Sequence, residues 1–121
     1  MYYGNRTNYG QAIGILMLNT NFPRIPGDIG NATTFSFPVV YKIIETANAS
    51  NVVSLGAVEL LEPFIKGARE LITQGVRAIT TSCGFLAIFH RELAAAVDVP
   101  VFTSSLIQAR LVYPHSSRIK R

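Results

Sequence analysis

The sequence has one cysteine, two histidines and no tryptophan in 121 residues. A lone cysteine cannot close an internal disulfide or build a cysteine-rich zinc site, so no metal is expected and a reducing, cytoplasmic location fits. Charged residues are scarce, at 15% against 49% hydrophobic. That composition builds a core and excludes a disordered chain. Long apolar runs are also missing. The stretch Ile13–Leu18 is too short to span a bilayer, and the opening MYYGNRTNYG lacks the basic region and apolar core of a signal peptide. No membrane partner is expected. The glycine patterns of dinucleotide and phosphate loops are absent too.

The net charge of +4 is not spread over the chain. Arg110, Arg118, Lys120 and Arg121 crowd the last dozen residues, whereas seven basic and seven acidic residues balance before them. No basic stripe is interleaved with aromatics, so no nucleic-acid partner is expected.

The remaining sequence alternates apolar runs with helical patterns. Residues 1–11 read as a mobile lead-in, 12–112 as one α/β domain, and 113–121 as a basic tail. AIGILML at 12–18 reads as a buried strand. The following NTNFPRIPGDIGNATTFSFP carries prolines and glycines and reads as a long loop, a length that favours function. Residues 39–48 have apolar side chains at three-and-four spacing, which predicts a helix. NVVSL at 51–55 reads as a strand, and 60–74 as a helix with Glu59 and Glu62 near its start and Gly75 closing it. Residues 76–81 predict a strand, 85–96 a helix, 100–103 a strand, and SLIQARLVY a last helix. The order predicts a three-layer fold: a parallel sheet with helices on both faces and right-handed crossovers. Ligands of such sheets bind beyond the C-terminal strand ends. Three stretches meet there: 19–30, 82–84 and 104–105.

Cys83, in TTSCGF, follows a strand and precedes a helix. Helix-start amides favour a thiolate there, and Thr81 and Ser82 add hydroxyls. The plainer alternative is a buried structural cysteine. His90 is seven residues along the same helix, too far for a Cys–His pair, and reads as a helix-surface residue, with His115 in the tail. In the loop, Asn19 and Thr20 stand at the mouth of the first strand. Asp28 reads as an acceptor of amide hydrogen bonds, a general base or an ammonium partner. Arg24 is a candidate carboxylate clamp. Ser104 and Ser105 offer hydroxyls to a carboxylate or phosphate, or simply cap a helix.

The runs IGILMLNTN, PRIPGDIGNATTFSFPV, TTSCGFLA and VPVFTSSL resemble the amino-terminal half of the aspartate/glutamate racemase superfamily, which includes hydantoin racemases, maleate isomerases and arylmalonate decarboxylases. The chain looks closest to uncharacterised members, and the resemblance spans residues 12 to about 112. It implies one half of a two-domain fold, with the active site between two similar α/β halves that each give one cysteine. It further implies a cofactor-independent racemase or isomerase acting at the α-carbon of an amino acid or small carboxylic acid. One thiolate removes the proton and the opposite thiol returns one. Cys83 matches the first family cysteine. Asn19, Thr20, Ser104 and Ser105 match pocket segments. Thr81 and Ser82, also substrate-binding candidates, precede the cysteine where the family has small polar or apolar residues, while Gly84-Phe85 stands where glutamate racemases carry Asn-Thr. There is no second cysteine, and the ending VYPHSSRIKR reads as truncation-related, so a weak or inactive fragment is expected. An arylmalonate-type decarboxylase needs only one cysteine, and Phe22, Phe35 and Phe37 would suit a less polar acid. A non-catalytic small-molecule binding domain is the third reading. The low charge content also predicts self-association.

Overall fold

The computed structural model describes residues 7, 10–48 and 58–103. The expected strand at 51–55, the last helix, Ser104, Ser105 and the basic tail lie outside them. Four parallel strands form one sheet in the order β2-β1-β3-β4. They are β1 (Ile13–Leu18), β2 (Val39–Ile44), β3 (Ala78–Thr81) and β4 (Val101–Phe102). Two helices follow β2 and β3 respectively: α1 (Leu61–Thr73) and α2 (His90–Ala96). Short 3-10 turns occupy Ala32–Thr34, Val58–Leu60 and Gly84–Phe89.

The apolar run of β1 makes it the central strand, with Ile15 and Leu16 fully buried on opposite faces. On one face Leu16, Leu18, Ile44 and Ile79 join Phe64, Ala68 and Leu71 of α1 in the core. The contact is close. A Cβ on Gly67 would stand 2.6 Å from Ile44 Cδ1, and one on Gly14 would stand 2.9 Å from Leu71 Cδ1. α1 is amphipathic, with buried residues at 64, 67, 68 and 71. It stops at Gly75, whose φ of 86° is the left-handed conformation expected there. α2 packs beside α1 on the same face through the buried Leu93.

The opposite face carries Ile15, Met17 and Tyr41. Here the connection from β1 to β2 lies against the sheet, because the Tyr41 hydroxyl donates to the Ile29 carbonyl at 2.8 Å. That connection holds the 3-10 turn at Ala32–Thr34, capped by the Asn31 side chain on the Thr33 amide. Helical elements thus flank both faces, as the reversed direction of the first crossover requires.

One element differs from the sequence expectation. Residues 39–44 are not a helix but strand β2, paired in parallel register with β1 from Ile13–Val39 to Leu18–Ile44. Six residues with apolar pairs at both ends satisfy helical spacing and a two-sided buried strand equally. Four β-branched residues and a tyrosine decide for the strand. The long loop is therefore itself the crossover. The expected helix over 85–96 also begins differently, as a 3-10 turn that becomes α-helical only at His90.

Candidate active site

The parallel register brings Asn19, Ser82, Cys83 and Thr103 to one edge of the sheet. β1 and β3 are adjacent, with Leu16 opposite Thr81, and the ladder continues one step further as the Ser82 amide donates to the Leu16 carbonyl at 3.1 Å. Asn19 follows β1 directly, and Cys83 stands two residues past the last residue of β3, after Ser82. The Asn19 amide donates to the Ala47 carbonyl at 2.8 Å, and its side chain reaches the Glu45 carbonyl at 3.4 Å, which ties it to the end of β2. Thr103 follows β4 and is fully buried. The C-terminal edge, where ligands of parallel sheets bind, therefore gathers residues from all four described strands.

Cys83 has an extended backbone (φ −128°, ψ 117°) and sits before the 3-10 turn with no side-chain capping bond. It is a free, half-buried thiol whose side chain packs partly against the core. Its backbone is fixed by Thr81. That hydroxyl donates to the Thr103 carbonyl at 2.6 Å and accepts the Cys83 amide at 3.3 Å, with the Cys83 carbonyl a further 3.1 Å neighbour. Thr81 is buried, so its hydroxyl is a scaffold group that locks the turn. Ser82 is half-buried and Gly84 is exposed beside Cys83.

His90, expected on the helix surface, is half-buried, and its Nδ1 lies 3.1 Å from Thr103 Oγ1. The 3-10 start changes the face on which His90 falls relative to Cys83. Seven residues along an α-helix return to nearly the same face, at about 100° per residue. At the 3-10 pitch of about 120° per residue they turn well past it. Sequence spacing alone carried no signal for this contact.

Arg24 and Asp28 come together, but with each other. Arg24 Nη1 bonds Asp28 Oδ1 at 3.0 Å, Nη2 donates to Thr20 Oγ1 at 3.2 Å, and the guanidinium lies 4.2 Å over the Phe22 ring. Asp28 also accepts the Gly30 amide at 2.7 Å. That amide, more than the neighbouring guanidinium, holds the Asp28 carboxyl below the usual aspartate value. A carboxylate so engaged is a structural acceptor and a poor general base. Asn31 adds a bond from its side-chain amide to the Arg24 carbonyl at 2.8 Å. The buried Arg24 Nε has no protein partner. Together these groups brace the loop and present Thr20 at the mouth of β1.

Phe35 and Phe37 do not reach this edge. Their rings stack at 5.5 Å just before Pro38, whose carbonyl accepts the Ala12 amide at the N-terminal ends of β1 and β2. They stand at the opposite end of the sheet, so of the three loop phenylalanines only Phe22 lies near the candidate site, beneath Arg24. Among the described residues no three His, Cys, Asp or Glu side chains group to hold a metal, and no helix is long and apolar enough to cross a membrane.

No family model matches the chain, and no solved structure matches it significantly. Curated proteins do. Dimethylsulfoniopropionate lyase 7 of Emiliania huxleyi is 31% identical over 99 residues, which are 80% of this chain and 29% of that protein. The dimethylsulfoniopropionate lyase of Durusdinium sp. clade D is 29% identical over 97 residues, 78% of this chain and 32% of its own length. Dimethylsulfoniopropionate lyase 5 of Emiliania huxleyi is 26% identical over 106 residues, 84% of this chain and 21% of the relative. The chain thus spans about a third or less of the curated relatives it matches. Those relatives carry a lyase name where the sequence resemblance pointed to racemases. The chain is homologous to part of enzymes that act on a small molecule.

Proposed function

We propose that Cys83 serves as the base that removes a proton α to the carboxylate of a small acid, and that the chain is a cysteine-bearing portion of a lyase for a β-sulfonium carboxylate. The similarity to dimethylsulfoniopropionate lyases carries this reading. Racemisation and β-elimination share their first step, loss of an α-proton next to a carboxylate. They differ in the exit. A racemase must return a proton to the opposite face of the same carbon. An elimination needs no such return. The thiolate sulfur takes the α-proton, and the C–H electron pair becomes the Cα=Cβ bond. The Cβ–S bond breaks with its pair leaving on sulfur, so the products are dimethyl sulfide and acrylate, and the Cys83 proton returns to water. No cofactor enters this balance.

The remaining groups at the edge have roles in this proposal that match their chemistry. Asn19, Thr20, Ser82 and the Gly84 amide would hold the carboxylate as charge develops on it. Arg24 and Asp28 would hold the loop that carries Thr20, and Thr81 would fix the Cys83 turn. Ser104 and Ser105, which follow Thr103 in the chain, remain proposed pocket residues. Self-association remains part of the reading as well, and light scattering of a concentrated sample that reported only monomer would remove it.

The test is direct. The chain is incubated with dimethylsulfoniopropionate, and dimethyl sulfide is followed in the headspace and acrylate by NMR. Release that Cys83→Ser abolishes is the expected result. Deuterium exchange at the α-carbon of aspartate or glutamate in D₂O, without dimethyl sulfide, would instead support the racemase exit. Deuterated monoacid from an arylmalonate would support the decarboxylase. Turnover of none of these, with Cys83 alkylating slowly, would favour a binding domain.

A further inference from the structure

The Cys83 turn is held by a closed ring of contacts. From Thr81 the ring passes to the Thr103 carbonyl at 2.6 Å. From the Thr103 hydroxyl it passes to His90 Nδ1 at 3.1 Å. The 3-10 turn Gly84–Phe89 then leads back from His90 to Cys83, whose amide returns to the Thr81 hydroxyl at 3.3 Å. Thr103 is 0% and Thr81 6% exposed, so neither hydroxyl can exchange freely with water for its partners. Buried polar groups in such networks rigidify what they connect, because each lost bond leaves a desolvated group behind. His90 is the one titratable side chain in the ring besides Cys83. It ties the start of α2 to the end of β4 through the Thr103 hydroxyl.

We propose that His90 is a positioning residue for Cys83, acting through Thr103 and Thr81. The inference rests on the reading of Cys83 as the base, which makes the geometry of this turn matter for rate. His90 does not touch the reacting atoms in this role. It holds β4 and the helix start at a fixed separation, so that the thiol stands at one distance from a substrate α-carbon. Either ring tautomer suffices, since the Thr103 hydroxyl can donate to Nδ1 or accept from it.

The experiment uses the full chain with four substitutions: His90→Leu, His90→Asn, Thr103→Val and Thr81→Val. Asn places a polar atom where Nδ1 stands. Thr103→Val removes the same bond from its other end with little change of shape, and it stands in if His90→Leu does not fold. Three quantities are read: dimethyl sulfide release from dimethylsulfoniopropionate, iodoacetamide alkylation of Cys83, and amide hydrogen exchange at Cys83 and at the core residues Leu71 and Ile79. His90→Leu and Thr103→Val are expected to lower kcat about fivefold or more with KM within about twofold. They are expected to raise alkylation about threefold, because a slackened turn exposes a half-buried thiol, and to speed exchange at Cys83 but not at Leu71 or Ile79. His90→Asn restores all three readings. A merely structural role would instead speed exchange at Leu71 and Ile79 together with Cys83. That pattern, or unchanged Cys83 exchange and alkylation in both His90→Leu and Thr103→Val, overturns the proposal. If the unaltered chain releases no dimethyl sulfide, the lyase reading fails, while exchange and alkylation still decide whether His90 positions the turn.

Discussion

The Thr81 hydroxyl donates to the Thr103 carbonyl at 2.6 Å across the ends of β3 and β4, both residues being buried. It accepts the Cys83 amide as well. Thr81→Val keeps the shape and removes both bonds, leaving a carbonyl and an amide without partners. An unsatisfied buried group costs about 1–3 kcal/mol. Urea denaturation should show a loss in that range for Thr81→Val and a much smaller one for Thr81→Ser, which keeps the hydroxyl. A loss in Thr81→Ser with none in Thr81→Val would mean that the methyl group, not the bond, stabilises the site.

The loop that presents Thr20 should loosen in acid. Asp28 has its carboxyl pKa lowered from the ordinary 3.8, first by the Gly30 amide and then by Arg24. A lowered folded value gives stability that is fully present above the unfolded value and is lost as pH falls through the folded one. The Gly30 amide resonance should therefore hold its position down to about pH 4 and move below it. Asp28→Asn should abolish that acid transition. A transition that persists in Asp28→Asn would assign it to another carboxylate.

An alkaline limit is expected on the same loop. Burial raises the Tyr41 pKa above its ordinary value of 10.0, the Asp28 charge adds to the rise, and Arg24 opposes it. The unfolded chain then loses its phenolic proton first, so stability falls as pH rises above about 10. The Tyr41 hydroxyl also donates the bond that pins Ile29. Tyr41→Phe should cost about 0.5–1.5 kcal/mol at neutral pH and flatten the alkaline decline. Denaturant midpoints at neutral pH and in alkali would check both effects in one series.

The sequence made the layered α/β architecture legible because three of the four strands, together with α1, show unambiguous signals. Ile13–Leu18 is an unbroken apolar run, and a glycine at position 75 marks the end of α1, where the structure shows the left-handed φ that glycine favours. β2 was not legible, since VVYKII satisfies two periods at once and only its pairing with β1 chooses between them. At the site, the placement of Asn19 and Cys83 followed from strand ends. The Arg24–Asp28 pair did not, because two residues four apart in a loop have no fixed geometry until Gly30 and Asn31 close it. Nor did the contact of His90 with Thr103, because those residues meet only where α2 packs against the end of β4.

The Gly30 backbone leaves no room for a side chain beside Arg24. A Cβ there would lie 2.7 Å from Arg24 Cδ and 2.8 Å from Nε. A long side chain can usually swing away from such an overlap. Arg24 cannot do so without losing its bonds to Asp28 and Thr20 and its place over Phe22. Gly30→Ala should therefore behave like Arg24→Ala, freeing Thr20 and reducing dimethyl sulfide release. The two changes should not add when combined, because they break one network. Additive losses in the double variant would show that Gly30 acts apart from Arg24.

The two ends of the sheet give a last, sharper test. Phe37 is 42% exposed and stacks on Phe35 beside the N-terminal strand ends, whereas Phe22 lies under Arg24 near the C-terminal edge. β1 is six residues long, so at about 3.3 Å per residue roughly 20 Å separate the two ends. A substitution at Phe37 should not be felt by a substrate held at Asn19 and Cys83. Phe37→Ala should leave KM and kcat for dimethyl sulfide release within about twofold. Phe22→Ala should raise KM, because it removes the ring on which the Arg24 guanidinium rests, an interaction of about 0.5–1 kcal/mol at an exposed site. Steady-state kinetics of the two variants would separate the ends. A large effect at Phe37 with none at Phe22 would place the substrate at the N-terminal edge and remove Cys83 from the reaction.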